Sequence, residues 1–419
     1  LKLSNQNEAL LYSLNVDALK SESFQLQKID LNGDITNNVI NYNVSTKDAK
    51  DATQFLVAGN LKTLNDITEI SLNPNGLVLN YDQWQVGEGN LIQLRKDGIV
   101  AHNFSLMNNG SQILLQSESE KGTSPLNITI KDFKIETIAE IIKKDDLPAE
   151  GTINGTAQIR DLNKEMTFNA DLAVSDLKAF GNPIGNIIAK VKNTSPTMIN
   201  ADITLDGNSN NMKIFGDYNT KESAFDLALD INRLEMKSVQ GFTMNQIKDT
   251  EGYISGNLKI AGTMDKASIL GQVKFNQVGL TIAETGSNFR KIDDAIDFTN
   301  KGIEFNRFKI NDNEGNSLTI RGEILTETYR DFAFNLTANG RDFNVVNSEK
   351  SNDAIMYGKL AVNANLTIEG DLDLPKVNGS LTVTDDTNFT FVLPQSSPSL
   401  QEREGIVEFI DQDQVALQE

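Results

Sequence analysis

The chain has 419 residues, of which 39% are hydrophobic, and it carries a formal net charge of −20 and no cysteine. This charge disfavours binding to nucleic acid or to anionic lipid headgroups, because like charges repel over a Debye length. We therefore expect no nucleic-acid partner. The absence of cysteine excludes disulfides and thiolate metal sites. The apolar fraction is enough for a sizeable core but low for a compact globule, so we expect one continuous elongated body.

Neither end of the sequence carries a recognisable targeting segment. The chain begins at Leu1, shows no signal peptide, and has no run of roughly 18 to 20 apolar residues that would cross a membrane as a helix. We expect the chain to be an internal or processed piece of a longer protein, with any membrane anchor outside it.

Apolar and polar residues alternate with a period of two through most of the chain, and this pattern predicts β-strands. Clear examples in chain order are residues 166–174, 225–231, 332–338 and 358–370. Turn sequences rich in Asn and Gly separate the runs, as at residues 108–110. Many strands joined by tight turns predict an antiparallel meander rather than βαβ crossovers. The predicted fold class is therefore mainly all-β.

Short helical patterns interrupt the strands at three places. Isoleucines share a helical face within residues 136–144, shortly before Pro148. Residues 234–248 and 344–356 occupy corresponding places and are predicted to form similar short helices. Each helix would close or brace one group of strands. The tail after Asp411 has little pattern, and we expect it to fray.

A unit of about 100 residues recurs along the chain. The phrase Glu-Gly-Thr-Ile-Asn-Gly at residues 150–155 returns 101 positions later as Glu-Gly-Tyr-Ile-Ser-Gly at residues 251–256, and a looser copy follows at residues 357–360. A fixed period is typical of stacked units that extend one another's apolar surface. The predicted divisions are one or more groove units in 1–133, groove repeats in 134–234 and 235–343, and a partial repeat with the tail in 344–419.

The residues give no support for catalysis or for a metal site. The single histidine, His102, keeps the period-two register of its neighbours, so we interpret it as a packed or partly exposed strand residue. Zinc and iron sites lack Cys and His ligands. Residues 312–316 superficially resemble a calcium loop, but their Asn and Gly favour a hairpin turn. We expect no enzyme activity, no cofactor and no metal.

The continuous apolar face is the feature with functional content. In a closed sandwich, two such faces pack on each other and bind nothing, whereas a sheet that curls without closing leaves an apolar wall on which acyl chains can replace water. The predicted lining residues of such a lipid-binding groove are Phe168, Leu172, Val174, Ile203, Leu205, Ile214, Phe225, Leu227, Leu229, Leu258, Ile260, Val273, Phe275, Leu318, Ile320, Phe332, Phe334, Leu336, Leu360, Val362, Leu366 and Ile368.

Several phrases occur in an order that extends over nearly the whole chain. They are the stretch from Phe133 to Gly155, the Trp84 segment leading to residues 90–92, residues 374–383, residues 389–394, and Glu-Gly-Ile-Val-Glu-Phe at residues 404–409. Each phrase is mostly glycine and hydrophobic residues, so their order carries the weight. Together they resemble the C-terminal region of the TamB family, the translocation and assembly module proteins of the AsmA-like group.

The resemblance implies a long, twisted β-sheet bent into a U-shaped groove with an apolar lining, in the periplasm of a diderm bacterium. It implies a parent protein anchored in the inner membrane and a partner that is an outer-membrane barrel of the Omp85 type, similar to TamA. It also implies a role in outer-membrane biogenesis and in carrying phospholipid between the membranes.

Three functional hypotheses follow. The first is a conduit segment in which the lining residues supply apolar surface for phospholipid. The second is a scaffold that presents a β-edge or an apolar wall to outer-membrane proteins during assembly. The third is a surface adhesin built of β-sandwich repeats, in which a piece such as residues 150–250 would fold alone.

Overall fold

A computed structural model describes residues 2–6, 9–20, 25–137, 149–161, 166–350 and 356–392. The 28 strands in this part of the chain form one antiparallel sheet, which confirms the predicted all-β class. The chain exposes 26,364 Å² of surface, whereas a compact monomer of its mass would expose roughly 16,000 Å². The excess area is that of an extended sheet with one layer.

The strands follow one another as a long meander. The first ten are β1 (Lys2–Gln6), β2 (Ala9–Lys20), β3 (Gln25–Thr36), β4 (Val39–Lys47), β5 (Thr53–Leu64), β6 (Ile67–Leu79), β7 (Asp82–Val86), β8 (Leu91–Arg95), β9 (Gly98–His102) and β10 (Phe104–Asn108). The next nine are β11 (Ser111–Ser117), β12 (Leu126–Lys134), β13 (Ala149–Arg160), β14 (Thr167–Ala179), β15 (Asn182–Ser195), β16 (Met198–Gly207), β17 (Asn210–Asn219), β18 (Ala224–Glu235) and β19 (Ile247–Thr263). The last nine are β20 (Ala267–Ile282), β21 (Asn288–Ile292), β22 (Ala295–Thr299), β23 (Gly302–Asp312), β24 (Ser317–Leu325), β25 (Ala333–Ser348), β26 (Met356–Asp371), β27 (Lys376–Val383) and β28 (Asn388–Phe391).

The sheet does not close on itself. Among the described residues β1 pairs only with β2, and β27 and β28 pair only with β26. Some long strands face two short ones, as β20 faces β21 and β22. At that break, the carboxylate of Asp294 accepts a hydrogen bond from the N–H of Lys309 at 2.8 Å, so a side chain replaces the missing ladder partner.

Cross-strand register places one line of apolar residues and glycines on the same face of 17 successive strands. In order from β7 to β26, omitting β8, β9 and β21, this line is Val86, Leu106, Ile113, Ile130, Gly155, Leu172, Ala189, Ile203, Ile214, Leu229, Leu258, Gly271, Phe298, Ile303, Ile324, Phe334 and Gly370. We call it the apolar row. Because side chains alternate along a strand, a slip of one residue anywhere would break it.

Two glycines show why the apolar row needs residues without a side chain at some strands. Gly155 has φ +150°, and a Cβ there would lie 2.2 Å from the carbonyl oxygen of Asp171. Gly271 has φ +133°, and a Cβ there would lie 2.0 Å from the carbonyl oxygen of Asn257. Both are backbone positions that glycine adopts without strain.

The opposite face of the sheet carries charged residues. Lys213 on β17 pairs with Asp202 on β16 at 3.0 Å, and Lys259 on β19 pairs with Asp226 on β18 at 3.3 Å. Both ion pairs are well exposed, so each contributes little stability. The alternation of the sequence therefore separates an apolar face from a solvated one that carries charged residues.

A buried polar side chain holds each of three strand bulges in register. The bulges fall between Ile130 and Phe133, between Ile231 and Leu234, and between Gly340 and Phe343. Just after each bulge, a backbone N–H donates to a buried side-chain oxygen. The pairs are Lys134 to Ser111 at 3.3 Å, Glu235 to Asn210 at 2.7 Å, and Asn344 to Asp312 at 3.0 Å. These positions correspond under the predicted period, although the unit boundaries themselves stay a prediction.

The predicted helices have mixed outcomes. The helix expected over residues 234–248 is real but short: α1 (Met236–Gln240) continues as a 3₁₀ helix (Gly241–Thr243), and β19 begins at Ile247. Most of the predicted helix over 136–144 lies outside the described residues, as does the tail after Asp411.

The helix predicted over residues 344–356 is wrong for residues 344–348, which form the end of β25. Residues 351–355 lie outside the described part of the chain. Val345 and Val346 are β-branched and favour a strand. The preceding hairpin also supplies strand-like partners: Ser287 Oγ donates to the carbonyl of Val345 at 2.6 Å, and Asn347 N–H donates to the carbonyl of Thr285 at 3.1 Å.

Candidate hydrophobic groove

The apolar row brings together predicted lining residues from far apart in the sequence. The members that were predicted are Leu172, Ile203, Ile214, Leu229, Leu258 and Phe334. A parallel line joins Val174, Leu205 and Val273 through Ile187, Met212, Ile231 and Gly256. On the other side of the row, Leu227 pairs with Ile260, and Phe225 lies opposite Gly262.

The remaining predicted residues lie on the same face, outside these three lines. Phe168 pairs with Ile159, and Phe275 pairs with Ile254. Near the C-terminal end, the pairs on the same face are Leu318 with Gly340, Ile320 with Ala338, Leu336 with Ile368, Ala338 with Leu366, Phe343 with Val362, and Val346 with Leu360. Phe332 lies just before β25, and its carbonyl accepts a hydrogen bond from the N–H of Leu372 at 3.0 Å. The register thus puts the predicted strand residues on a common face, while their role in lipid binding stays a prediction.

The apolar face is covered only in part. From Leu106 to Phe334, every member of the apolar row that has a side chain is half-buried, and only Val86 at its start is fully buried. In a closed sandwich these inward-facing residues would be fully buried against a second sheet. The face therefore keeps apolar surface in contact with solvent along its length.

Aromatic side chains fill the C-terminal part of this face. The aromatic cluster consists of Phe275, Phe289, Phe305, Phe308 and Phe343. The rings of Phe275 and Phe308 lie 5.2 Å apart edge to face, and those of Phe289 and Phe343 lie 5.7 Å apart and are stacked. Phe308 is buried among Val278, Ile292 and Met236. Such ring pairs add packing energy beyond their buried area.

An aliphatic section without such filling lies between β14 and β19. Here α1 and the 3₁₀ helix cross the apolar face and leave beneath them a cavity of about 470 Å³, which we call the roofed cavity. Of the 13 residues that line it, all but Ser238 are apolar. Its floor includes Ile203 and Ile214 of the apolar row together with Leu205 and Met212.

Buried hydrogen bonds fix the roof in place. Ser238 on α1 is 2% exposed, and its Oγ donates to the carbonyl of Pro183 at 2.9 Å. The amide of Asn210, also 2% exposed, donates to Ser238 Oγ at 2.8 Å and to the carbonyl of Ile184. Gly241 lies so close to β14 that a Cβ would be 2.7 Å from the carbonyl oxygen of Ala179. The roof is therefore built into the fold.

Phe242 stands at the mouth of the roofed cavity. It lines the cavity and is still 61% exposed, and its ring meets that of Phe180 edge to face at 5.7 Å. The mouth of the cavity thus has an aromatic rim.

Sequence reasoning did not predict the roofed cavity or the aromatic cluster as features of the groove. Phe242 lies within the helix predicted over residues 234–248, and its place in that helix was the only available signal. The rings of the aromatic cluster come from separate strands, and only the pairing of those strands brings them together.

His102 and residues 312–316 adopt the local structures that the sequence predicted for them. His102 ends β9, is half-buried, and lies 3.2 Å from a carboxylate oxygen of Glu120, as expected for a strand residue. Residues 312–316 form the predicted hairpin turn: the N–H of Asp312 donates to the carbonyl of Asn316 at 2.9 Å. The Asp312 carboxylate accepts from the N–H groups of Glu314 and Asn316 within this turn.

The comparison with protein families now bears on this geometry. Residues 306–419 match the TamB C-terminal domain. The chain carries a TamB C-terminal domain. The family resemblance expected from the sequence is confirmed, and the match includes the strands from the end of β23 to β28. No curated protein and no solved structure matches the chain significantly.

The TamB family ties the chain to the cell envelope and, in general terms, to membrane-associated protein assembly and lipid transport. TamB proteins are associated with a TamA partner. Among the described residues, the structure has no helix that is both long and apolar enough to span a membrane.

Proposed function

We propose that this chain is a periplasmic segment of a bridge that carries phospholipid between the inner and outer membranes. The observation that carries the proposal is the apolar row, which continues over 17 strands of a sheet that does not close. In the proposed mechanism, no residue is catalytic and no cofactor takes part. Each lining residue supplies apolar surface, while headgroups stay in water above the rim.

The energetics fit such a role. Moving hydrocarbon from water onto an apolar wall gains about 0.8 kcal/mol per CH₂. Successive strands offer similar residues side by side, as Leu229 and Leu258 do, so neighbouring positions outside the roofed cavity have similar affinity for an acyl chain. An acyl chain can then move along the open groove, because no position there binds it much more tightly than the next. The net negative charge would repel anionic headgroups from the rim rather than hold them there.

The test is a pair of charges on the apolar row. The double variant Leu172→Asp, Leu258→Asp, at two row positions outside the roofed cavity, should lose co-purifying phospholipid in native mass spectrometry and should fail to support lipid transfer. The matched control is Ile188→Asp, Phe215→Asp, because these hydrophobic residues lie on the opposite face and are already 56% and 40% exposed. If the row variant keeps its β-sheet circular dichroism and moves lipid as well as the control, the proposal is wrong.

A scaffold for outer-membrane protein assembly is the second candidate. It is supported by β27, an edge strand in the TamB-matching part whose eight residues are all exposed. Val377, Leu381 and Val383 on this strand are each more than half exposed. An exposed edge can bind an extended segment by adding a strand. In that case native mass spectrometry would find bound polypeptide and no phospholipid.

The proposed parent protein is anchored in the inner membrane and meets an Omp85-type barrel similar to TamA. Site-specific photo-crosslinking in cells from β27 residues and from β2 residues would show which end of the sheet faces the barrel. Cross-links from neither end would contradict a direct contact through this segment.

A further inference from the structure

We infer that the roofed cavity is a binding site for one acyl chain, distinct from the open groove on either side of it. The inference rests on the proposed function and adds to it a defined position at which a lipid pauses. The roofed cavity has a volume of about 470 Å³, which lies within the range of cavities that hold a single small ligand, about 300–1,000 Å³.

The chemistry of the lining selects hydrocarbon. The only polar residue in the lining is Ser238, and its hydroxyl already donates to the carbonyl of Pro183 and accepts from Asn210. A polar ligand group inside the cavity would therefore lose its bonds to water without replacement. A hydrocarbon chain loses nothing of this kind, and it gains contact with Leu205, Met212 and Ile187.

The position of the cavity selects a chain that belongs to a larger amphipathic molecule. Ile203 and Ile214 form part of its floor and also belong to the apolar row, so the cavity opens into the groove. At its other side the exposed ring of Phe242 separates it from solvent. One acyl chain of a lipid can lie beneath α1 while the rest of the lipid remains in the groove or at the rim.

The site is preformed, because the roof is held by the buried bonds of Asn210 and Ser238 and by the close approach of Gly241 to β14. Binding therefore does not require ordering of the roof. In the aromatic cluster, by contrast, the rings of Phe275, Phe305 and Phe308 occupy the corresponding space.

The experiment uses the whole chain and two probes: a sixteen-carbon fatty acid with a photoreactive group near its end, and a phosphatidylethanolamine that carries the same acyl chain. Cross-linked peptides are mapped by mass spectrometry. We expect cross-links concentrated at the cavity lining, at about one chain per protein. A preference for the phospholipid probe would identify the source of the chain as a membrane lipid.

Two filling variants test the site from opposite sides. Met212→Phe fills the cavity from its floor and Val239→Phe from its roof, and each should lower cross-linking at the lining by about tenfold. The control Ile188→Phe adds similar bulk on the opposite face and should change nothing. If one filling variant fails to fold, the other still gives the result.

The outcomes separate this inference from the proposed function. Cross-links spread evenly along the groove and unchanged by both filling variants would overturn the cavity site while leaving the conduit intact. No cross-link anywhere, together with no co-purifying phospholipid, would overturn both.

Discussion

The boundaries near residues 235 and 344 begin alike and then diverge. At each, a strand bulge is followed by a backbone N–H that donates to a buried side chain, Asn210 in one case and Asp312 in the other. After Glu235 the chain turns into α1 and roofs an aliphatic cavity, whereas after Asn344 it continues as β25. The same kind of buried hydrogen bond can therefore precede either a helical roof or a further stretch of strand. Near the first boundary a cavity remains under the roof, whereas near the second aromatic rings fill the groove.

Truncation of a core side chain to Ala should destabilise the aromatic cluster more than the aliphatic section between β14 and β19. Phe308→Ala should cost about 3–5 kcal/mol, because it removes a ring from the centre of the aromatic cluster. Leu205→Ala should cost less, about 2–3 kcal/mol, because its side chain already borders a cavity. Hydrogen exchange of the amides in β16 and β23 reads local stability in a long sheet better than one global transition does. Equal costs would mean that the two sections are packed alike.

Enlarging a side chain should act in opposite ways in the two sections. Ile320→Phe should destabilise the aromatic cluster by about 1–3 kcal/mol, because Ile320 packs against the cluster and the larger ring has to displace its neighbours. Met212→Phe should leave stability within about 0.5 kcal/mol of the parent chain, since the roofed cavity can accept the ring. Urea denaturation followed by local hydrogen exchange measures both. A penalty at Met212 as large as that at Ile320 would argue that the cavity is not available.

Removing one serine hydroxyl near each boundary tests the hydrogen bonds that fix the segment after it. Ser238→Ala should cost about 1 kcal/mol and raise hydrogen exchange across residues 236–243, because α1 loses its bond to Pro183. Ser287→Ala should cost a similar amount but loosen the end of β25, where Ser287 bonds to Val345. Hydrogen exchange that rises at the other boundary, or at both boundaries in one variant, would contradict the role given to that serine.

The smallest expected effect is a pH dependence that the two sections share. Hydrogen bonds to Asp386 and Glu314 raise the pKa of Lys359, as the bond to Glu150 raises that of Lys178. A lysine with a raised pKa in the folded state stabilises fully below its unfolded pKa, about 10.4, and loses this contribution as pH rises through the folded pKa. Urea midpoints should therefore fall only above about pH 10.4, and less steeply in Lys359→Met. A loss between pH 7 and 9 would contradict this cause.

The fold class and the alternation of apolar and polar faces follow from local sequence pattern alone. Period-two alternation predicted the strands at 225–231 and 358–370, which lie within β18 and β26. It also indicated that Phe225, Leu227 and Leu229 share one face of β18, because alternation fixes which residues of a strand point the same way. The TamB resemblance came from the order of short phrases and is confirmed over residues 306–419.

How the apolar face is covered depends instead on contacts between residues far apart in the sequence. Residues 344–356 showed the same helical pattern as 234–248, yet β25 continues to Ser348 because residues 285 and 287 supply bonds from a distant hairpin. Likewise, five phenylalanines scattered between residues 275 and 343 meet only after β20 to β25 have paired. Local pattern determines the direction of each side chain, but contacts across long separations determine whether the space above it is roofed, filled or open.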